Sequence, residues 1–280
     1  MNVSAALDNA SVAATRASGS NFYLAMRILP KAQREAMYEI YSFCRLVDDI
    51  ADNEGPRPER LAALEHWRRD IDSMYAGAPP ASLSNLARAV RQFGLRKDDF
   101  LAVIDGMEMD ARGDIRAPDF SALDLYCDRV ASAVGRLSVR VFGMDEESGR
   151  KLAHHLGRAL QLTNILRDID EDAAIGRLYL PQEALSLAGI QSRDPQAVAG
   201  HPNLAVACNM VVQRAREHFE KAEAIMARSP RHAVRAPRIM GLAYRRILDG
   251  MSARGFNPPR ERVRVNKIHL LGIALRHAFI

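Results

Sequence analysis

Cysteine and aromatic rings are scarce in this sequence. Its three cysteines, Cys44, Cys127 and Cys208, stand far apart with no CxxC spacing. That signals neither a disulfide framework nor a zinc knuckle and fits a reducing compartment. Aromatic residues make up 6% of the chain, with Trp67 the single tryptophan, so a platform for stacking single-stranded bases is not expected. No run of about 18 apolar residues occurs, and the first residues, which include Asp8, lack the apolar stretch of a secretory signal. A cytoplasmic protein, soluble or peripheral to a membrane, is the expectation. Convincing alternating strand patterns, a fixed-period repeat and a low-complexity linker are also missing.

What is present is apolar content of 48% in 280 residues, enough to bury a large core in one domain. Residues 1–16 are small and polar and read as a loose tail, leaving 17–280 as a single all-α domain. Helical periodicity runs from Pro30 to about Asn53, then over 57–75, 82–94, 98–114, 121–142, 146–173, 203–228 and 233–253. Gly77-Ala78-Pro79-Pro80, Gly113, Pro118, Gly143, Gly176 and Ser229-Pro230 punctuate it. In such a bundle a site is built from side chains that project inward from facing helices. The net charge of +5 asks for an anionic partner without choosing one.

The segment "RLVDDIADNEGP" puts Asp48, Asp49 and Asp52 at the end of a helix. Asp48 and Asp52 share a face, repel each other and oppose the helix dipole. Alone, a DxxxD of this kind reads as a solvated acidic helix end. A second one, Asp168 and Asp172, precedes Gly176. Gln161, Asn164, Asp168 and Asp172 follow at steps of three, four and four, and Tyr41, Arg45, Asp48 and Asp52 form the counterpart stripe. Two carboxylate pairs facing each other across a cavity suit hard divalent cations, which prefer oxygen ligands and are held together with a substrate's phosphates. Arg45, Arg167 and Arg177 beside the acids suit a diphosphate gripped from the other side.

These residues, together with "SGSNFYLAMRILP" (18–30), "YCDRVASAVGRLSVRVFG" (126–143), "LGRALQLTNILRDIDEDAAIGRLYLP" (156–181), "AYRRILDGM" (243–251) and "ERVRVNK" (261–267), resemble the squalene and phytoene synthase family. The resemblance implies an all-α, single-domain isoprenoid synthase bundle around a central cavity, with head-to-head prenyltransferase activity. It implies that Asp48, Asp52, Asp168 and Asp172 bind Mg2+, for which Mn2+ can substitute. Gln161 and Asn164 then support the second pair, and Arg45, Arg167, Arg177 and Arg262 grip diphosphate. Ser18, Ser20, Phe22, Tyr41, Tyr179 and Tyr244 fall where the family lines its reaction chamber. Asn21 stands where many members have serine. Asp49, Asp170 and Glu171 lie off the inward stripe and read as solvated or supporting residues.

Within the family the fine detail looks most like the bacterial branch that serves hopanoid pathways. That branch joins two farnesyl diphosphate molecules, stops at presqualene diphosphate and hands it to downstream enzymes. Ionising an allylic diphosphate demands charge neutralisation at the leaving group and a dry cavity. Phe22, Tyr41 and Tyr244 could stabilise the carbocation through their ring faces, worth about 2 kcal/mol when desolvated. The released diphosphate and a tyrosine are both candidates for the final proton. No NADPH is expected, and no GxGxxG is present. Two rivals stay open: a phytoene synthase using geranylgeranyl diphosphate, and a complete NADPH-dependent squalene synthase. A helical anion-binding protein without catalysis is the non-enzyme alternative; no nucleic acid partner is expected.

His154 and His155 are adjacent and cannot share a helix face, so surface or packing roles are expected. His66, His201, His218, His232, His269 and His277 show no ligand spacing. Of the basic segment Arg254 to Lys267, Arg262 alone is assigned to diphosphate. Arg254, Arg260, Arg264 and Lys267 are solvated or touch anionic lipid, a peripheral membrane contact.

Overall fold

A computed structural model describes residues 21–112 and 115–263, and among them the regular elements are all helical. In chain order they are α1 (Asn21–Arg27), α2 (Lys31–Asp52), α3 (Arg57–Tyr75), α4 (Ser84–Phe93), α5 (Lys97–Arg112), α6 (Phe120–Cys127), α7 (Ala133–Val141), α8 (Glu146–Arg167), α9 (Ile169–Ala174), α10 (Gln182–Leu187), α11 (Pro195–Ala199), α12 (Leu204–Arg228) and α13 (Arg231–Arg254). A 3-10 turn, Ala81–Leu83, leads into α4, and a π-helical turn, Asp128–Ser132, joins α6 to α7.

Sequence pattern explains the two helices that carry the acids. In α2, Ala36, Ile40, Phe43, Val47 and Ala51 recur at steps of four, three, four and four, and all are buried. Pro30 supplies an extended residue before the first turn, and Asn53 turns extended again before Gly55-Pro56. In α8, the Asp145 carboxylate accepts from the Ser148 N–H at 2.9 Å, which caps the helix start. Leu152, Leu156, Ala159, Thr163 and Leu166 form its buried stripe.

Two apolar clusters make up the core. One gathers α1 to α5; the other gathers α6 and α8 to α12, with α7 and α13 contributing to both. Val130 and Met240 pack against both clusters. Helix α8 packs on α7, α12 and α13, while α2 packs on α5 and α7. The two acid-bearing helices therefore belong to opposite halves and look inward across the junction.

Two expected helices differ in detail. The stretch 146–173 is broken at Asp168, whose φ of −103° and ψ of 20° separate α8 from α9. The stretch 121–142 contains the π turn, where Ser132 lies against Gly157: a Cβ there would sit 2.7 Å from Ser132 Cα. Close approach of α8 to this turn requires glycine. One isolated parallel bridge, Arg116 to Leu178, lies between α5 and α6 on one side and after α9 on the other. No described helix is long and apolar enough to cross a membrane.

Candidate active site

On α2, Arg45 donates from Nη1 to Asp48 Oδ2 and from Nη2 to Asp49 Oδ1, both at 2.8 Å. Asp49 thus takes a share of a guanidinium expected to serve the inward stripe. Burial pushes the Asp48 carboxyl up to about 6, helped by the charge of Asp52 and opposed by Arg45. Asp52 accepts from Arg177 Nη1 at 2.7 Å, a bond spanning the two halves of the chain. Arg177 Nη2 and Arg60 Nη1 also donate to the Ala51 carbonyl, at 3.3 and 2.9 Å. Cations therefore occupy the negative end of α2, which answers the dipole objection to its acids.

On the facing side, Asp168 receives a fork from Arg167, Nε to Oδ1 at 2.8 Å and Nη2 to Oδ2 at 2.6 Å. Arg262 Nη2 adds a bond to Asp168 Oδ1 at 2.8 Å, and its Nη1 donates to Glu171 at 3.0 Å. Asp172 remains in register because its N–H donates to the Asp168 carbonyl at 2.8 Å across the helix break. Burial, then the charge of Asp168, pushes the Asp172 carboxyl up to about 7, with Arg177 opposing. Asn164 Nδ2 donates to Gln161 Oε1 at 3.4 Å. The Asn164 Oδ1 is buried and has no hydrogen-bond partner among the described residues.

Asp110, on α5, ties the pairs together. Its charge raises the pKa of both Asp48 and Asp172. It accepts from Tyr126 at 3.0 Å and from Tyr179 at 2.8 Å, and these two rings stack with centroids 5.0 Å apart. The Arg116–Leu178 bridge delivers Tyr179 to this point, with Leu178 N–H donating to Ile115 at 2.6 Å and Ala117 N–H to Leu178 at 2.8 Å. Burial keeps Tyr126 and Tyr179 above the usual phenol range.

Beside this polar cluster lies a cavity of about 240 Å³. Tyr41, Gln161 and Asn164 stand in its wall together with apolar residues such as Met37, Leu156, Leu160 and Met240. Charge is thus concentrated at one end of a greasy chamber, the distribution a charged head with an apolar tail requires.

A family model, squalene/phytoene synthase, matches residues 15–269. The chain belongs to the squalene/phytoene synthase family. It is 58% identical over 264 residues to a presqualene diphosphate synthase of Rhodopseudomonas palustris, covering 94% of this chain and 95% of the relative. A presqualene diphosphate synthase of Sinorhizobium fredii is 59% identical with the same coverage. Phytoene synthase 1 of Arabidopsis thaliana is 36% identical over 88% of this chain and 60% of its own length. Among solved structures, squalene synthase HpnC from Alicyclobacillus acidocaldarius superposes with a TM-score of 0.81 at 27% identity, over 92% of this chain and 98% of its own.

For this family member the expected site residues separate into groups. Asp48, Asp52, Asp168, Asp172, Arg45, Arg167, Arg177, Arg262, Gln161 and Asn164 belong to one connected polar region. Tyr41 lines the cavity, and buried Tyr244 accepts a hydrogen bond from Arg167. Tyr179, expected in the chamber wall, instead points its hydroxyl into the Asp110 network. Ser18 and Ser20 lie outside the described residues, as does the side chain of Phe22. Asp170 pairs with Arg260, whose side chain is 5% exposed, so Arg260 is a buried structural cation and not a solvated one.

Asp110 and Tyr126 were not among the expected site residues. Asp110 opens a third DxxxD with Asp114, so its spacing was legible, while nothing in the sequence ties it to Tyr126 or Tyr179. Residues able to hold a hard divalent cation are Asp48 and Asp52 on one side, and Asp168, Asp172 and the orphaned Asn164 oxygen on the other. Oxygen donors, a raised carboxyl on each side and an unpaired buried carbonyl oxygen together fit Mg2+.

Proposed function

We propose that this protein is a Mg2+-dependent prenyltransferase that joins two farnesyl diphosphate molecules head to head, giving presqualene diphosphate and free diphosphate. The observation that carries the reading is the gap between 58–59% identity to presqualene diphosphate synthases and 36% to a phytoene synthase, over most of the chain in each case. The acidic pairs at the mouth of an apolar cavity support it.

Asp48, Asp52, Asp168 and Asp172 would hold Mg2+, which supplies charge neutralisation to the diphosphate. Arg45, Arg167, Arg177 and Arg262 bind the same anion from the protein side and orient it. The C1–O bond of one farnesyl diphosphate breaks and its electron pair leaves with the diphosphate. The double bond of the second farnesyl chain attacks C1, and loss of a proton closes the cyclopropane. The apolar chamber walled by Met37, Leu156, Leu160 and Met240 excludes water that would quench the cation. Tyr126, Tyr179 and Tyr244 all have raised pKa values and are phenols at neutral pH. The departing diphosphate is then the stronger base for the proton.

The test is incubation of the purified protein with farnesyl diphosphate and Mg2+, with and without NADPH, followed by mass spectrometry of the lipids before and after phosphatase. A C30 cyclopropyl diphosphate that accumulates regardless of NADPH is the expected product. Squalene formed only with NADPH, or turnover of geranylgeranyl diphosphate alone, would replace the reading with one of its rivals. Asp48→Asn and Asp168→Asn are expected to lose turnover by about 1000-fold or more with the fold retained; normal turnover in both would remove the metal assignment.

A further inference from the structure

On the outer face of α8, away from the acidic pairs, three imidazoles converge. His154 and His155 come from α8 and His218 from α12. One ligand atom from each lies within 4.8 Å of the others. His155 Nδ1 and His218 Nδ1 are 3.0 Å apart, and the ring centroids are separated by 4.7 Å (His154 to His155), 5.2 Å (His155 to His218) and 5.9 Å (His154 to His218). Adjacent helical residues do diverge, which is why His154 and His155 looked unable to cooperate. The third ring, arriving from a packed neighbour, bridges the divergence.

We infer that His154, His155 and His218 form a binding site for a borderline transition-metal cation of the Zn2+, Co2+ or Ni2+ type, separate from the carboxylate pairs. Imidazole nitrogen selects such ions over Mg2+, which prefers oxygen. Two nitrogens on a tetrahedral zinc, each about 2.0–2.1 Å from the metal, lie about 3.3 Å apart. The 3.0 Å separation of the two Nδ1 atoms needs only a few tenths of an ångström of opening. Without metal, that separation accommodates a proton on one Nδ1 donated to the other. Metal binding moves this proton to Nε2 of the same ring, so both Nδ1 lone pairs point at the ion and neither imidazole changes charge. His155 and His218 are half-buried and His154 is exposed, which leaves a coordination position open to water.

The surroundings do not forbid a dication. The nearest guanidinium, Arg158, is paired through a fork to Asp124 at 2.7 and 2.8 Å and to Asp128 at 3.1 Å. Lys221 raises the local potential, while Asp124 and Asp128 lie close enough to act on His154 with the opposite sign. Burial holds His155 and His218 at about 4, so both are neutral at physiological pH. A bound ion would clamp α12 onto α8, the helix that carries Gln161 and Asn164.

The experiment uses the full-length protein, stripped with chelator and held in excess Mg2+ so that the carboxylate sites are masked. Zn2+ binding is measured by calorimetry and metal analysis, and Co2+ by its visible absorption. The expected result is one Zn2+ per chain and an intense d–d band with Co2+, both retained in Asp48→Asn and Asp168→Asn. His155→Ala and His218→Ala are expected to weaken binding about 100-fold or more, since even residues that merely orient a ligand cost 10–100-fold. His154→Ala, at an exposed position, should weaken it without disturbing the fold. Histidine-independent stoichiometry, loss of binding in the aspartate variants, or no Zn2+ uptake by the wild type would each overturn the assignment.

Discussion

Asp172→Asn should stabilise the metal-free protein above neutral pH while abolishing what the carboxylate is there to do. Burial and the charges of Asp168, Asp110 and Glu171 drive the Asp172 carboxyl up to about 7, and Arg177 only partly opposes them. The native state then holds more protons than the unfolded chain between the ordinary value of 3.8 and about 7. Stability is therefore lost as pH rises through that window and stays low above it. At about 1.4 kcal/mol per pH unit, a window of about 3 units sets an upper limit of about 4 kcal/mol. Solvent screening at a half-buried position reduces this to about 1–2 kcal/mol.

Asparagine keeps the shape of the side chain and removes the charge, so it escapes the penalty. In chelator at pH 8 the variant should melt about 3–6 °C above wild type, at about 2–4 °C per kcal/mol for a chain of this size. At pH 3, below both values, the wild-type carboxyl is itself mostly protonated in the folded and unfolded states, and the difference should vanish. Mg2+ with a non-hydrolysable diphosphate analogue should reverse the order, since ligand binding stabilises only the chain that can bind it. Equal melting at pH 8, or an equal gain at both pH values, would refute the electrostatic account.

Two further changes test how the site is held. Gly157→Ala puts a methyl 2.7 Å from the Ser132 N, Cα and Oγ atoms; we expect a loss of about 1–3 kcal/mol in denaturant unfolding and a raised KM, because Gly157 also lines the cavity. Unchanged stability would mean that α8 does not depend on its close approach to the π turn. Asp110→Asn offers one acceptor oxygen where the carboxylate offers two to Tyr126 and Tyr179, so one buried phenol loses its carboxylate acceptor and keeps only the 3.3 Å contact between the two hydroxyls, at a cost of about 1–3 kcal/mol; a variant as stable as wild type by chemical denaturation would show that this network does not carry the expected load.

Where packing alone decides, sequence and structure agree closely. The expected helices over 57–75, 203–228 and 233–253 correspond to Arg57–Tyr75, Leu204–Arg228 and Arg231–Arg254, since each buries a stripe at helical spacing. Short elements such as α10 and α11 escaped because five or six residues cannot display a period. The break at Asp168 escaped for a different reason: the apolar period runs through it, with Ile165, Leu166 and Ile169 all buried on either side. Both acidic pairs were legible from spacing. The ties of Asp110 to Tyr126 and Tyr179, and the histidine triad, were not, because the partners come from distant elements that only tertiary packing assembles.

Acid placement at the helix ends is better understood from the arginines than from the acids alone. Arg177 sits one residue after Gly176, whose φ of 81° allows the chain to fold back so that the Arg177 N–H donates to the Asp172 carbonyl at 2.8 Å. From there its guanidinium reaches Asp52 and the Ala51 carbonyl in the last turn of α2. Arg177 thereby serves both acidic segments, closing the turn after Asp172 with its N–H and meeting the negative end of α2 with its guanidinium, without neutralising the whole group. Asp48 and Asp172 stay raised to about 6 and about 7, carboxyls that no protein cation fully satisfies. A site balanced this way is stable enough to fold empty, and it still gains most when a divalent cation arrives with an anionic headgroup.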